Sequence, residues 1–336
     1  MRLRRAFWVL CAGASLSCNG ILPPTGPAWT PQAEAPAPPM LVLVDYDSGS
    51  VSIFDTSTKD VVATIAVADR VGATAVSGDG RTVYAAVPGG IAVIDVASRT
   101  VAPTLTFGGD PSGLTVAGGV LYVTESGVQT GTVSVFDLAT GRVTSAGKIR
   151  SLVGQAEITV DGQRLFIPHP YYTGFVTVLD TATLRERQSL EFEDRMSGMR
   201  LSPDERWLLV PNGLTSDGRV AIIDTVTLRS VGNIALAGEP SDLVIAPDGK
   251  RAWVTQFRDH SVAVIDLVGR TVEQTIAVSD YPSSLAISPD GATLFVVHNG
   301  SNRLSVIDVA TGAVDHRQLA TSPVAIARPS RFAGAR

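Results

Sequence analysis

Ser261-Val262-Ala263-Val264-Ile265-Asp266 is an apolar run closed by an aspartate, and relatives of this phrase end at Asp55, Asp95, Asp137, Asp180, Asp224, Asp266 and Asp308. The steps between them are 40, 42, 43, 44, 42 and 42 residues. A period of that length, made of short β-like runs, is the period of a four-stranded propeller blade. Seven copies predict seven blades.

Working outward from this copy, Ser241 to Ala246 is a strand-like run, Pro247-Asp248-Gly249-Lys250 a turn, and Arg251 to Thr255 a second strand. The aspartate-closed run is the third strand, and Thr271 to Val278 is the fourth. The turn element recurs at Asp79-Gly80, Asp161-Gly162, Asp204-Glu205, Asp248-Gly249 and Asp290-Gly291, each 24 residues after a strand-closing aspartate. Ala117-Gly118-Gly119 replaces it once, one residue earlier. Six of the seven closing aspartates have Ser or Thr three residues on (Thr58, Ser98, Thr140, Thr183, Thr227, Thr311), with Gly269 the exception. That spacing predicts Asx-type turns, so the most conspicuous acidic set is read as structural.

The chain has 336 residues, 45% hydrophobic and 18% charged, a balance that suits one closed all-β domain and argues against disorder. The formal charge is −5, and loss of Arg2, Arg4 and Arg5 with an N-terminal leader would make it −8. With three lysines and no basic cluster there is no electrostatic footprint for duplex nucleic acid. Both cysteines, Cys11 and Cys18, precede the repeats, so the repeats hold neither a disulfide nor a thiolate metal site.

Ser288-Pro289-Asp290-Gly291, Leu121-Tyr122-Val123-Thr124 and Leu304-Ser305-Val306-Ile307-Asp308 together resemble the YVTN or YncE-like seven-bladed propeller family, over Met40 to Ala327. The resemblance implies that the strand before S-P-D-G is innermost. Leu41 to Val44 would then be a second strand, and Ser322 to Ala327 an innermost strand completing the first blade, which closes the ring without exposed edges.

Before the repeats, Met1 to Arg5 is basic and Ala6 to Leu16 is apolar, the pattern of an export signal, too short to span a bilayer. Ser15-Leu16-Ser17-Cys18 resembles a bacterial lipobox, with Ser15 where an aliphatic is usual. The division expected is signal peptide 1–17, Pro/Ala-rich tether 18–39, propeller 40–328 and tail 329–336, with Cys18 lipidated. The expectation is an exported protein, periplasmic or at the cell surface, held as an outer-membrane lipoprotein, and a monomer.

Loops at the face where the innermost strands begin are the expected site, because two loop sets per blade converge there and loops are free to carry function. They supply His169, Tyr171, Tyr172, Arg195, Phe257, Arg258, His260, Tyr281 and His298 as candidate ligand or partner contacts, with Asp194, Asp242 and Asp280 beside them. Aromatics with arginines suit a peptide, a glycan or an envelope protein. A metal on His169, His260 and His298 is the sharper alternative, but no loop pairs its histidines, so no metal and no cofactor is expected. No G-x-S-x-G, H-E-x-x-H, phosphate-binding Gly loop or C-x-x-C-H occurs. The expectation is a binding or scaffold module. The alternatives are a quinoprotein-dehydrogenase-like or lactonase-like propeller enzyme, and a single-stranded nucleic-acid binder, for which the aromatics lack a basic groove.

Overall fold

The computed structural model describes residues 40–107, 109–127, 129–150, 153–170, 174–192, 194–213 and 217–327. Among these, 28 strands, β1 to β28 in chain order, form seven sheets of four antiparallel strands arranged as a ring of blades. The export signal, the tether with Cys18, and residues 328–336 lie outside the described residues.

Six blades take four consecutive strands each. Blade 6, for example, runs β20 (Pro240–Ile245), β21 (Arg251–Gln256), β22 (Ser261–Asp266) and β23 (Thr271–Ala277). Blade 1 is the exception: β1 (Met40–Asp45), β2 (Ser50–Asp55) and β3 (Asp60–Ala66) are joined by β28 (Ala325–Ala327), which pairs Val42 with Ala327 and Val44 with Ala325. Ser322 N–H donates to Asp45 Oδ2 at 2.9 Å and Val324 N–H to Val44 O at 2.9 Å, so the two ends of the repeat region are stitched together as the sequence predicts.

Burial follows strand order. The second and third strands are covered on both faces by neighbouring blades, which is why they read as continuous apolar runs. Each apolar cluster spans two blades. Leu41, Leu43 and Phe54 of blade 1 pack with Phe295, Val297 and Leu304 of blade 7, and the rings of Phe54 and Phe295 meet edge to face at 5.8 Å. Outermost strands are polar and exposed, as in β15 (Arg185–Glu191), where Arg185, Glu186 and Arg187 deter pairing with another chain.

Both turn sets behave as the spacing predicts. Ser98 and Thr140 donate through N–H and hydroxyl to Asp95 and Asp137 Oδ1 at 2.6 to 2.9 Å. At Asp55 the hydroxyl comes from Ser57 instead, at 2.5 Å, and at Asp266 only backbone N–H groups are available, from Val268 and Gly269. The hydrogen bonds hold the carboxyls of Asp55, Asp95, Asp137, Asp224 and Asp308 below their ordinary 3.8. Arg187 and Thr183 take Asp180 down to about 2. Four residues after each aspartate the backbone turns left-handed: Lys59, Arg99, Gly141, Leu184, Leu228, Arg270 and Gly312 all have φ between 53° and 71°.

Candidate functional site

The loop face is built from two sets of connections, those entering each innermost strand and those between second and third strands. Where a second strand meets this face its last residue is polar in six blades: Asp45, Glu125, His169, Asn212, Gln256 and His298, with Val87 the exception. Asp45, His169, Asn212, Gln256 and His298 are buried. Several reach under the loop that enters their own blade. Asp45 accepts from Ser322 N–H, and His298 Nδ1 lies 3.1 Å from Asp280 O, with Nε2 2.8 Å from Ser305 Oγ. These contacts satisfy backbone groups that the ring would otherwise bury without partners.

This corrects the expected placement of two histidines. His169 and His298 end β13 (Arg164–His169) and β25 (Thr293–His298) and are 1% and 0% exposed, rather than standing in open loops. His169 stacks on Phe175 at 3.9 Å and its Nε2 lies 3.0 Å from Thr177 Oγ1, while Arg150 sits 4.7 Å from the Phe175 ring centre. Burial lowers the His298 pKa from its ordinary 6.5. His298 ties its strand to the loop entering its blade, and His169 ties its strand to the third strand beside it. Among the described residues no three His, Cys, Asp or Glu side chains converge on a point where a metal ion could sit.

Three of the candidate residues, Phe257, His260 and Tyr281, do meet, between blades 6 and 7, with Arg258 beside them in the same loop. The Phe257 and Tyr281 rings are tilted at 5.2 Å, and His260 meets Tyr281 edge-on at 5.0 Å. The Tyr281 N–H donates to His260 Nδ1 at 3.0 Å, which leaves the imidazole proton on Nε2 in the neutral ring. Arg258 Nε donates to Glu239 Oε2 at 2.7 Å while 70% of the Arg258 side chain remains exposed. His260 and Tyr281 both have positive φ, 50° and 53°, without being glycine, and Tyr281 is 47% exposed. A left-handed backbone costs a non-glycine residue roughly 1–2 kcal/mol. The backbone therefore holds an exposed aromatic outward at a cost.

Arg195 lies apart from this group, exposed, in the loop entering blade 5, where its carbonyl accepts from Gly213 N–H at 3.0 Å. Its neighbour Asp194 pairs with Arg219 at 2.7 Å. Tyr171, Tyr172 and Cys18 lie outside the described residues.

A belt of polar side chains also runs around the innermost strands, with no counterpart in the repeat spacing. Arg200 of β16 (Arg200–Leu201) reaches Glu157 of β12 (Glu157–Ile158) at 3.1 Å and Asp242 of β20 at 3.4 Å. The other Asp242 oxygen accepts from Ser284 Oγ at 2.8 Å and Leu285 N–H at 3.3 Å, in β24 (Pro282–Ile287). Ser284 Oγ in turn accepts from Ile326 N–H at 3.3 Å. The belt therefore links blades 4, 5, 6, 7 and 1. Burial pushes the Asp242 carboxyl up and Arg200 opposes it. With both its oxygens occupied, Asp242 ties blades together and offers no free base.

No protein-family model matches the chain, and no curated protein matches it. Solved structures do resemble it. A chain of Kuenenia stuttgartiensis hydrazine synthase is 18% identical with a TM-score of 0.70, covering 85% of this chain and 94% of that one. A functionally unknown protein from Desulfotomaculum acetoxidans DSM 771 is 15% identical with a TM-score of 0.70, covering 87% and 99%. Dihydro-heme d1 dehydrogenase NirN in complex with DHE is 18% identical with a TM-score of 0.62, covering 86% of this chain and 65% of that one. At these identities the likeness is one of fold, and the fold is a seven-bladed β-propeller.

Proposed function

We propose that the chain is an exported, lipid-anchored propeller of the YVTN/YncE-like kind that binds a protein of the bacterial envelope through the loop face of blades 6 and 7. The observation that carries this reading is Tyr281, an exposed aromatic in left-handed backbone, braced by Phe257 and His260. Strained backbone of this sort is found where presenting a side chain outweighs local stability. The adjoining Arg258 and Glu239 give the aromatic patch a charged border, the composition of a protein contact. The lipobox-like Ser15 to Cys18 and the Pro/Ala-rich stretch after it support anchoring at a membrane surface.

Retention of envelope proteins by the purified protein, compared with Tyr281→Ala and Arg258→Ala, tests the assigned face. Loss of the same partner from both variants is expected, and an unchanged partner set would remove blades 6 and 7 from consideration. A glycan ligand would show instead as binding to envelope polysaccharide after the proteins are digested. Cys18→Ala should move the protein from the membrane fraction to the soluble one, whereas persistence in membranes counts against lipidation.

Hydrazine synthase and NirN are enzymes, which keeps a catalytic reading alive for a chain that shares only their fold. An absorption spectrum and elemental analysis of the purified protein decide it, since a chromophore or stoichiometric metal would favour chemistry over scaffolding.

A further inference from the structure

We infer that the loop face carries a second site, beside blades 1 to 3, which takes a small zwitterion, an α-amino acid, by its two charges. A cavity of about 200 Å³ opens there, lined among others by Tyr46, Arg70, Pro88, Asp110, Pro111 and Ser112. Arg70 comes from the loop entering blade 2 and Asp110 from the loop entering blade 3. Among the described residues neither side chain has an ion-pair or hydrogen-bond partner, and the two do not pair with each other across the cavity they share.

Backbone hydrogen bonds hold the loop that carries Arg70. On one side Val67 N–H and Ala68 N–H donate to Gly49 O at 3.0 and 3.3 Å, and on the other Gly72 N–H donates to Ala86 O at 2.8 Å. The backbone at Arg70 thus lies between two anchors, and Asp110 is followed directly by Pro111, whose φ is restricted. Glu125 deepens the negative side: its carboxylate lies over Gly109, where an added Cβ would meet Oε1, and burial with the Asp110 charge raises its pKa.

A ligand with one charge would satisfy one of these poles and leave the other facing solvent. An α-amino acid satisfies both, its carboxylate on the Arg70 guanidinium in a forked pair and its ammonium on Asp110. Tyr46, 43% exposed, and the rings of Pro88 and Pro111 offer apolar surface to the side chain. The volume is below the roughly 300–1,000 Å³ of drug-sized sites, which limits the ligand to a small one. The site lies in a different sector from Tyr281, so either site can fail without the other.

Calorimetric titration of the full-length protein with the free amino acids, each at up to about 10 mM, tests this, since contacts of this kind reach roughly millimolar affinity. Saturable binding of at least one is expected. Its N-acetyl and its amide derivatives, and the Arg70→Ala and Asp110→Asn variants, should each bind at least about tenfold more weakly, because each removes one charge-assisted contact. Tyr281→Ala should bind as the unaltered protein does. Thermal unfolding midpoints equal to that of the unaltered protein will show that the variants are folded, as their exposed positions lead one to expect. The inference is overturned if no amino acid binds, if the N-acetyl derivative binds as well as the free amino acid, or if folded Arg70→Ala and Asp110→Asn keep full affinity.

Discussion

At the scale of single residues, the outer turns combine a favourable carboxylate with an unfavourable backbone. Gly141 and Gly312 occupy the left-handed position without penalty, but Arg99 occupies it with φ 60° and an exposed side chain. Arg99→Gly removes roughly 1–2 kcal/mol of local strain and adds part of that back as unfolded-chain entropy. Chemical denaturation should show a net gain of about 0.5–1 kcal/mol. The carboxylates themselves set the acid limit. Their folded pKa values lie below 3.8, so their stabilisation is complete above that value and is lost as pH falls, ending near 2 for Asp180. His298 acts in the same direction at higher pH. Because its folded pKa is below 6.5, its neutral form supports the fold above 6.5, and stability falls as pH drops through the depressed value. An NMR titration should find the His298 ring still neutral after an exposed histidine has begun to protonate. A midpoint at or above 6.5 would mean that the ring is not clasped as described.

At the scale of elements, two innermost strands, β12 and β16, have only two residues each, and there side chains supply cohesion that ladder bonds do not. Asp242→Ala would leave the Ser284 hydroxyl proton without its acceptor and one side of Arg200 without its partner, a loss expected to cost about 1–3 kcal/mol. A double-mutant cycle of Asp242→Ala with Ser284→Ala should show coupling of about 0.5 kcal/mol or more. Additive effects would show that the two residues do not act together. The sequence made the blades legible because four strands and two turn types repeat at fixed intervals. It hid the belt because its members stand at different offsets: Glu157 and Arg200 each precede the turn aspartate by four residues, whereas Asp242 precedes Asp248 by six. Alignment to the blade landmarks scatters residues that the stagger of adjacent blades brings together. The repeat spacing puts His169 and His298 at the loop end of their blades but does not show that they are buried. The polar column Asp45, Glu125, Asn212 and Gln256 at the same strand position was the available signal. By contrast Phe257, Arg258, His260 and Tyr281 were visible because a loop with three such side chains departs from the repeat.

At the scale of the whole molecule, stability depends on a closed ring. Ile326 of β28 packs, 6% exposed, with Leu41, Leu43 and Phe295, so it joins blade 1 to blade 7 at the seam. Ile326→Ala should cost about 2–4 kcal/mol, the usual loss for a large aliphatic in a core. Ile326→Asp should do worse, exposing both β1 and the flank of blade 7, and size-exclusion chromatography should show association through the opened edges. A monomeric, fully stable Ile326→Asp protein would mean that the seam contributes little.

The three-plus-one blade also fixes an order of events during synthesis. β1 leaves the ribosome before the other described strands, yet its inner edge has no partner until β28 follows, and the bond from Ser322 to Asp45 spans 277 residues. Blade 1, which supplies the earliest of the described strands, is thus the last completed, and until then β1 has one edge paired with β2 and the other open. Such a distant pairing is slow to form. A circular permutant that joins β28 directly to β1, with its break at the exposed Ala320 between β27 (Val314–Gln318) and β28, gives every blade four consecutive strands and should refold faster than the natural order.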